Sequence, residues 1–306
     1  MKLIVDDLND EKRLDLYLAE YFANLSRSRL QAEIKNGNVL VNSKTVKSSY
    51  LIKSGDSIDI NINDNNEIII KPENILLDIV YEDTNMLVVN KPSGMLTHPT
   101  NLEQSGTLVN ALLYKYGNDL SDLNGEFRRG ILHRLDRNTS GLLMVVKNND
   151  AHEFLVEKMK NREITKKYYA IVKGVIDEDE FTINEPIGRN IKYPQKMCVT
   201  PDGKESISEI KVLKRFSDAT FIEVHLVTGR THQIRVHLSY IGHPVYNDTL
   251  YGFGKMKIKT EEQVLQSYYL SFPKPFTNEM ITVEIEKDDK IKKILAYYLN
   301  LVSKKS

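Results

Sequence analysis

The sequence predicts an α+β fold: a small N-terminal α/β module followed by a larger domain built on a mixed sheet. Three observations carry that expectation. Segments of period 2 and period 3.6 intermix without the regular strand–helix–strand alternation of a doubly wound sheet. The Asn-rich stretch NINDNNE, 61–67, interrupts both periodicities and reads as a linker or strand rim. The 306 residues suit two domains. The expected organisation is a module over 1–62, a linker over 63–74 and a main domain over 75–306.

The elements follow in order. Leu14, Tyr17, Leu18, Tyr21 and Phe22 give residues 10–23 the spacing of an amphipathic helix. A second short helix follows, with Ser26 placed to cap it and Gly37 to close it. Val39–Val41, a turn at Asn42-Ser43-Lys44 and Thr45–Lys47 form a small hairpin. The turn at Gly55-Asp56 leads into a strand over Ser57–Ile60. In the main domain, Ile79–Asp83 and Leu87–Asn90 read as strands, and Lys91-Pro92-Ser93-Gly94 as a turn. A helix covers Thr107 to Tyr116, with Leu108, Ala111 and Leu112 inward. Gly141–Val146 is a strand. Asn149 or Asp150 caps a helix that carries Ala151, Phe154, Leu155 and Met159 on one face. Residues 166–173 alternate, with Lys166, Tyr168, Ala170 and Val172 on one side. Residues 220–228 alternate again, with Ile222, Val224 and Leu226 inward. Thr231 caps a helix that Gly242 and Pro244 end. Its apolar stripe is Ile234, Leu238 and Ile241; its polar stripe is His232, Arg235 and Ser239.

Composition excludes some classes. Hydrophobic residues make up 41% and charged residues 27%, which suits a folded chain with a buried core. Cys198 is the one cysteine, so neither an intrachain disulfide nor a cysteine metal cage is available. The acidic start MKLIVDDLND is no secretory signal, and no apolar run has the length of a spanning helix. The expectation is a cytoplasmic protein with no membrane partner, and a monomer by default. The 42 Lys and Arg balance 42 Asp and Glu, yet the distribution is uneven. Residues 26–53 hold six Lys/Arg against one Glu, and residues 126–174 hold eleven Lys/Arg against six Asp/Glu. Local basic patches on a neutral chain can dock phosphates, although a solvated charged face is the common meaning of any single patch.

Three stretches place a polar, reactive residue at the edge of an apolar element: HRLDRNTSG at 133–141, REITKKYYAIVKG at 162–174 and TGRTHQIRVHL at 228–238. Asp136 precedes a strand, Tyr168 lies on one, and Arg235 lies mid-helix on the polar stripe. If they converge, a carboxylate, a phenol and a guanidinium share a cleft, and the arginine holds Asp136 as the anion. A carboxylate nucleophile needs no activating base. The bland alternatives are a salt bridge of Asp136 with Arg134 or Arg137, a half-buried strand tyrosine and a solvent-facing arginine. His232 and His237 lie five apart, wrong for two metal ligands on one helical face, and read as structural or as adjacent to a bound partner. His98 and His133 read as hydrogen-bonded structural histidines.

These stretches resemble the RluA-type pseudouridine synthases, in the RluD-like branch that adds an S4-like RNA-binding domain. LSRSRLQAEIKNGNVLVNSKTV, 25–46, is similar to the S4 module. YEDTNMLVVNKPSGMLTHP, 81–99, HRLDRNTSGLLMVVKN, 133–148, and RTHQIRVHLSYIGHPVYNDTLYG, 230–252, resemble that family's successive motifs. The resemblance spans nearly the whole chain. It implies a pseudouridine synthase fold with a largely antiparallel central sheet. It also implies isomerisation of uridine to pseudouridine in RNA, without metal or organic cofactor. Asp136 would be the catalytic aspartate. Tyr168, in K-x-Y-x-A, would stack under the target uracil or act as a base. Arg235 would pair with Asp136, and Arg134 would fill the stack vacated by the flipped uridine. Arg137, with Arg27, Arg29, Lys35, Lys44 and Lys47 of the S4-like module, would hold phosphates.

Two places depart from the pattern. Asn247 and Thr249 stand where the resemblance leads one to expect glycine and proline, and GRNIKYPQKM, 188–197, is less basic than expected. Ribosomal RNA of the large subunit is the expected target. A transfer RNA, or a catalytically silent RNA-binding role in ribosome assembly, are the alternatives. A hydrolase using Asp136 with His133 lacks a serine elbow, a triad or a second paired carboxylate.

Overall fold

The computed structural model describes residues 1–22, 25, 27–62, 70–100, 102–254, 256–277 and 279–303. The chain divides into two units, Met1–Ile69 and Ile70–Ser306, each with its own apolar core. Most of the expected linker, residues 63–69, and the expected cap Ser26 lie outside the described residues.

In the first unit a strand that the sequence did not announce, β1 (Lys2–Ile4), precedes α1 (Leu14–Tyr21) and α2 (Arg27–Lys35). Then come β2 (Val39–Val41) and β3 (Ser57–Ile60), in the antiparallel order β1-β3-β2. Leu14, Leu18, Leu30, Ile34, Val39, Val41 and Ile58 close its core. The first helix is shorter than its apolar spacing suggests, because Glu11 takes a positive φ of 58° and the helix begins only after it. Gly37, at φ 79°, follows the second helix as expected. The expected strand Thr45–Lys47 does not form. Its hairpin shrinks to one bridge, Val41 to Lys44, and β2 pairs with β3 instead. Thr45 and Lys47 are exposed, so that arm has little apolar surface to bury. The chain beyond it serves α1, where the Leu14 and Asp15 amides donate to the Tyr50 and Ser48 carbonyls.

The second unit begins with β4 (Ile79–Glu82), β5 (Met86–Lys91), α3 (Leu108–Tyr116), β6 (Ser140–Val146) and α4 (Asn149–Lys160). It continues through β7 (Thr165–Lys173), β8 (Glu180–Asn184), β9 (Ile187–Arg189), β10 (Met197–Val199), β11 (Ile207–Arg215) and β12 (Ala219–Leu226). It ends with α5 (Gln233–Tyr240), β13 (Leu265–Pro273), β14 (Met280–Glu284) and α6 (Asp289–Ser303). Nine strands form one sheet in the order β4-β5-β6-β13-β7-β12-β11-β8, with β14 also on β13. All its pairs are antiparallel except β6 with β13, so the fold is α+β on a mixed, largely antiparallel sheet. β9 and β10 make a separate two-stranded hairpin.

Strands β5 and β6 are buried on both faces, which explains their continuous apolar runs. Leu87, Val89, Leu143, Val145, Tyr168, Ala170, Ile222 and Val224 share a core with Leu108 and Leu112 of α3 and Ile234 and Leu238 of α5. On the other face Met86, Val88, Leu142 and Met144 meet Leu155 of α4. Ile291, Ile294 and Tyr298 of α6 close a third cluster on Ile171 and Phe221. Thr107 caps α3 in a reciprocal box with Asn110, and Asn148, one residue ahead of the expected cap, caps α4. Thr231 does not cap α5. The Gln233 side chain closes that turn instead, accepting from the Arg230 amide and the Thr228 hydroxyl at 2.9 Å each. No helix of the described residues is long and apolar enough to cross a membrane.

Candidate active site

Asp136 sits on a loop that enters β6, and the segment after β5 grips that loop by its carbonyls. The Thr97 hydroxyl donates to Leu135 O at 2.8 Å, the Thr139 amide to Asp136 O at 3.1 Å, and the Ser93 hydroxyl to Asn138 O at 2.8 Å. Lys91 is fully buried and spends all three ammonium protons on carbonyls: Pro92 O at 2.7 Å, Met95 O at 2.8 Å and Arg137 O at 3.1 Å. Burial, aided by the nearby Lys290 charge, pushes the ammonium down to about 7. The TSG that ends the loop has a packing reason at each position. The Thr139 hydroxyl accepts from Gln263 at 2.8 Å, and the Ser140 hydroxyl donates to Asp288 at 2.6 Å. Gly141, at φ 111°, lets β6 meet β13: a Cβ there would lie 2.0 Å from the Ser267 carbonyl oxygen.

Arg235 reaches Asp136 from α5. Its Nη1 donates to Asp136 Oδ2 at 2.8 Å. Its Nε and Nη2 donate to the two oxygens of Asp248 at 2.7 and 3.0 Å, a bidentate pair. The Asp248 side chain is fully buried and also accepts from the Leu250 and Tyr251 amides at 2.9 and 3.0 Å. Burial opposes the Asp248 anion, but the Arg235 guanidinium and those amides hold it below the usual carboxylate range. Burial likewise opposes the Arg235 cation, and the two carboxylates push it up. The polar stripe is thus buried at its centre: Arg235 is 7% exposed, with His232 and Ser239 half-buried on either side. The ion pair of Asp136 is with Arg235 rather than with a flanking arginine, since Arg137 pairs with Glu103 at 2.5 Å.

The cleft over Asp136 is lined by Arg134, Thr139, Tyr168, Leu226, His232 and Arg235, among others. Tyr168 is 4% exposed on β7. Burial pushes its phenol up; Ser267 opposes this, and the negative charge of Asp136 adds a smaller push in the same direction as burial. His232 turns its Nε2 toward Asp136 Oδ1 at 3.8 Å, and its Nδ1 lies 2.7 Å from the Tyr251 hydroxyl. Burial pushes its imidazole down; Asp136 opposes this, and the Arg235 and Arg134 charges add to it.

The structure therefore brings Asp136, Tyr168, Arg235 and Arg134 to one cleft and leaves Arg137 outside it. In the first unit Arg27 donates two bonds to the buried Asp15 carboxylate, at 2.9 and 3.0 Å, and Arg29 lies 3.8 Å from Glu33. Lys35, Lys44 and Lys47 are exposed. Sequence reasoning missed Asp248 and Tyr251, which lie in an irregular loop that has no period to read. The departure at Asn247 carried part of the signal: Asn247 adopts φ 58°, a conformation glycine takes freely and asparagine tolerates. Its side chain donates to Ile258 O and Thr260 Oγ1, at 3.1 and 2.8 Å, which ties that loop down.

Comparison with known proteins gives concordant matches. The model of the RNA pseudouridylate synthase family matches residues 85–240, and that of the S4 domain matches residues 12–58. A Bacillus subtilis protein named an uncharacterized RNA pseudouridine synthase is 45% identical over 273 residues, 89% of each chain. A Pseudomonas aeruginosa protein named ribosomal large subunit pseudouridine synthase D is 40% identical over 264 residues, covering 86% of this chain and 81% of that one. Among solved structures, human RNA pseudouridylate synthase domain containing 1 superposes with a TM-score of 0.57 at 30% identity, over 71% of this chain and 86% of the other.

Proposed function

Since this chain belongs to the RNA pseudouridylate synthase family and carries an S4 RNA-binding domain, we propose that it isomerises uridine in large-subunit ribosomal RNA, with Asp136 as the reacting carboxylate. Relatives named for that ribosomal subunit support the target; one from Buchnera aphidicola is 38% identical over 303 residues. One observation carries the assignment of Asp136. Arg235 is anchored twice on Asp248 and donates from Nη1 to Asp136 Oδ2, so Asp136 is aimed into the cleft while its Oδ1 stays open.

In the reaction the glycosidic C–N bond breaks, the uracil turns and C5 joins C1′; C5 then loses its proton to solvent and N1 takes one up. Asp136 either attacks C1′ or the base, or assists a route through a glycal. Tyr168 serves as the platform under the uracil. Its buried phenol, pushed up by burial, holds its proton at neutral pH and is a poor base. A base in stacked RNA must first be extruded, at a cost of a few kcal/mol. Stacking on an aromatic is worth about 1–3 kcal/mol per base and offsets that cost. Exposed Arg134, on the rim of the cleft, is placed to fill the vacated stack.

The test is tritium release from 5-³H-uridine RNA by wild type and Asp136→Asn, on unmodified ribosomal and transfer RNA. Release from ribosomal RNA by wild type alone is the expected result, with RNA affinity little changed in the variant. Release from transfer RNA only would move the target. Equal release by Asp136→Asn would remove Asp136 from the chemistry.

A further inference from the structure

Three polar contacts run in series from the β9–β10 hairpin to the free oxygen of Asp136. The Met197 amide donates to the Tyr251 hydroxyl at 2.8 Å. That hydroxyl lies 2.7 Å from His232 Nδ1, and His232 Nε2 faces Asp136 Oδ1 at 3.8 Å. The direction of the series is set at the hairpin end. A backbone N–H only donates, so the tyrosine oxygen accepts there. Its own proton then goes to its one other partner among the described residues, His232 Nδ1. Nδ1 is thereby the acceptor, and the ring proton sits on Nε2.

The backbone is shaped for this arrangement. His232 takes φ 58° and ψ 18°, a left-handed conformation sparsely used by residues with a side chain, at the position just before α5. The ring meets the Tyr251 ring edge-on, with centroids 5.5 Å apart, and the Arg235 guanidinium lies over the same tyrosine at 5.0 Å.

We infer that His232 is a positioning residue for Asp136: the hairpin, through Met197 and Tyr251, fixes it as the neutral Nε2–H tautomer and aims that N–H at Oδ1 while Arg235 holds Oδ2. This rests on the reading of Asp136 as the reacting carboxylate. At 3.8 Å the N–H does not yet bond Oδ1, so that oxygen is open to substrate. A movement of roughly 1 Å would complete the bond, which suits an oxygen that must be steered without being sequestered. The groups facing His232 are Asp136, Arg235, Arg134, Asp248 and Tyr251. Burial disfavours a protonated ring there; the two arginines add to this and the two carboxylates oppose it. The hairpin carries exposed Ile191, Lys192 and Tyr193 near its tip, so RNA seated on it bears on the carboxylate through this series.

The test compares full-length wild type, His232→Gln, His232→Leu and Tyr251→Phe in steady-state tritium release, with melting curves as the folding control. Glutamine can accept from Tyr251 and turn an N–H toward Asp136, whereas leucine can do neither. Both carry the same backbone demand. Glutamine is expected to keep the rate within about 3-fold, and leucine to lose roughly 10- to 100-fold in kcat with KM unchanged. ¹⁵N spectra of His232 are expected to show the Nε2–H tautomer in wild type. In Tyr251→Phe they should show a mixture, with the acid limb of kcat shifted to higher pH. Leucine as active as wild type, glutamine as impaired as leucine, or an Nδ1–H wild type would each overturn the inference. A wild type that releases no tritium from any RNA would remove the functional reading, and the ¹⁵N spectrum, which needs no turnover, would still decide the tautomer.

Discussion

Arg235 lies between two carboxylates that do different work. Asp136 faces the cleft with 16% of its side chain exposed, whereas Asp248 is sealed behind the arginine and fixes where its guanidinium points. Asp248→Asn keeps the shape and removes the anchoring charge. It leaves Arg235 paired to Asp136 alone, which draws Asp136 out of its aim. The expected cost is about 3 kcal/mol of stability by urea unfolding, and about 10²-fold in single-turnover rate. A loss confined to stability would make Asp248 a packing residue only. His133 carries a pH prediction. Its Nε2 accepts from the Met144 amide at 3.1 Å, and burial pushes the imidazole down to about 3. The unfolded chain binds this proton near pH 6.5 and the folded chain only near 3. Stability is therefore intact above 6.5 and falls as pH drops through that window. His133→Gln should remove up to ~1.4 kcal/mol per pH unit of that slope. An unchanged slope in the denaturation midpoint between pH 6 and 4 would show that the ring does not stay neutral. These roles bound what sequence could tell. The polar stripe on α5 marked Arg235, but its burial depends on Asp248, which comes from another element.

At the scale of elements, the loop bearing Asp136 is rigid because other segments hold it by its backbone. Lys91 is the centre of that grip: its buried ammonium ties three carbonyls from two segments together. Lys91→Met fills similar volume and removes all three bonds. The expected loss is at least about 3 kcal/mol, together with a kcat defect at unchanged RNA affinity. Both are read by urea titration and by filter binding beside turnover. Wild-type kcat in the variant would mean that the loop holds its shape without the grip. Helices α3 and α4 were legible because cap and apolar stripe agreed, at Thr107 with Leu108, Ala111 and Leu112, and near Asn148 with Ala151 and Leu155. The alternation of β12 likewise gave its inward residues, and that of β7 grouped Lys166, Tyr168, Ala170 and Val172, all of which are buried. Thr45–Lys47 failed because alternation alone does not supply a surface to pack on. The Lys91 grip was beyond reading: a lysine before Pro-Ser-Gly looks like a solvated turn until the fold closes over it.

At the scale of the molecule, a chain of zero net charge must bind a polyanion through local fields. In the S4 unit those fields are narrower than a count of basic residues suggests. Arg13 and Arg27 both donate to Asp15, and burial of that carboxylate is outweighed by the Arg13 bond, which pulls it well below its usual range. Their charge is partly spent on that carboxylate, and the Arg27 bonds hold α2 to α1. Lys35, Lys44 and Lys47, exposed on or near α2 and the turn after β2, are the better candidates for holding phosphates. Replacing all three by alanine in the full chain leaves the S4 core untouched, since none of them belongs to it. Every lysine–phosphate pairing that disappears should flatten the slope of log K against log salt by about 0.7–0.9, so the triple variant should fall by roughly 2–3 in slope. Arg27→Ala should change that slope little and lower stability instead, because it takes two hydrogen bonds from a buried carboxylate and leaves it to Arg13 and Gln31. Turnover at saturating RNA should hold at the wild-type value, because none of these side chains lines the Asp136 cleft. A triple variant with the wild-type salt slope would mean that the S4 unit binds RNA by another face. A matching fall in kcat would mean that it also orders the RNA for the chemistry.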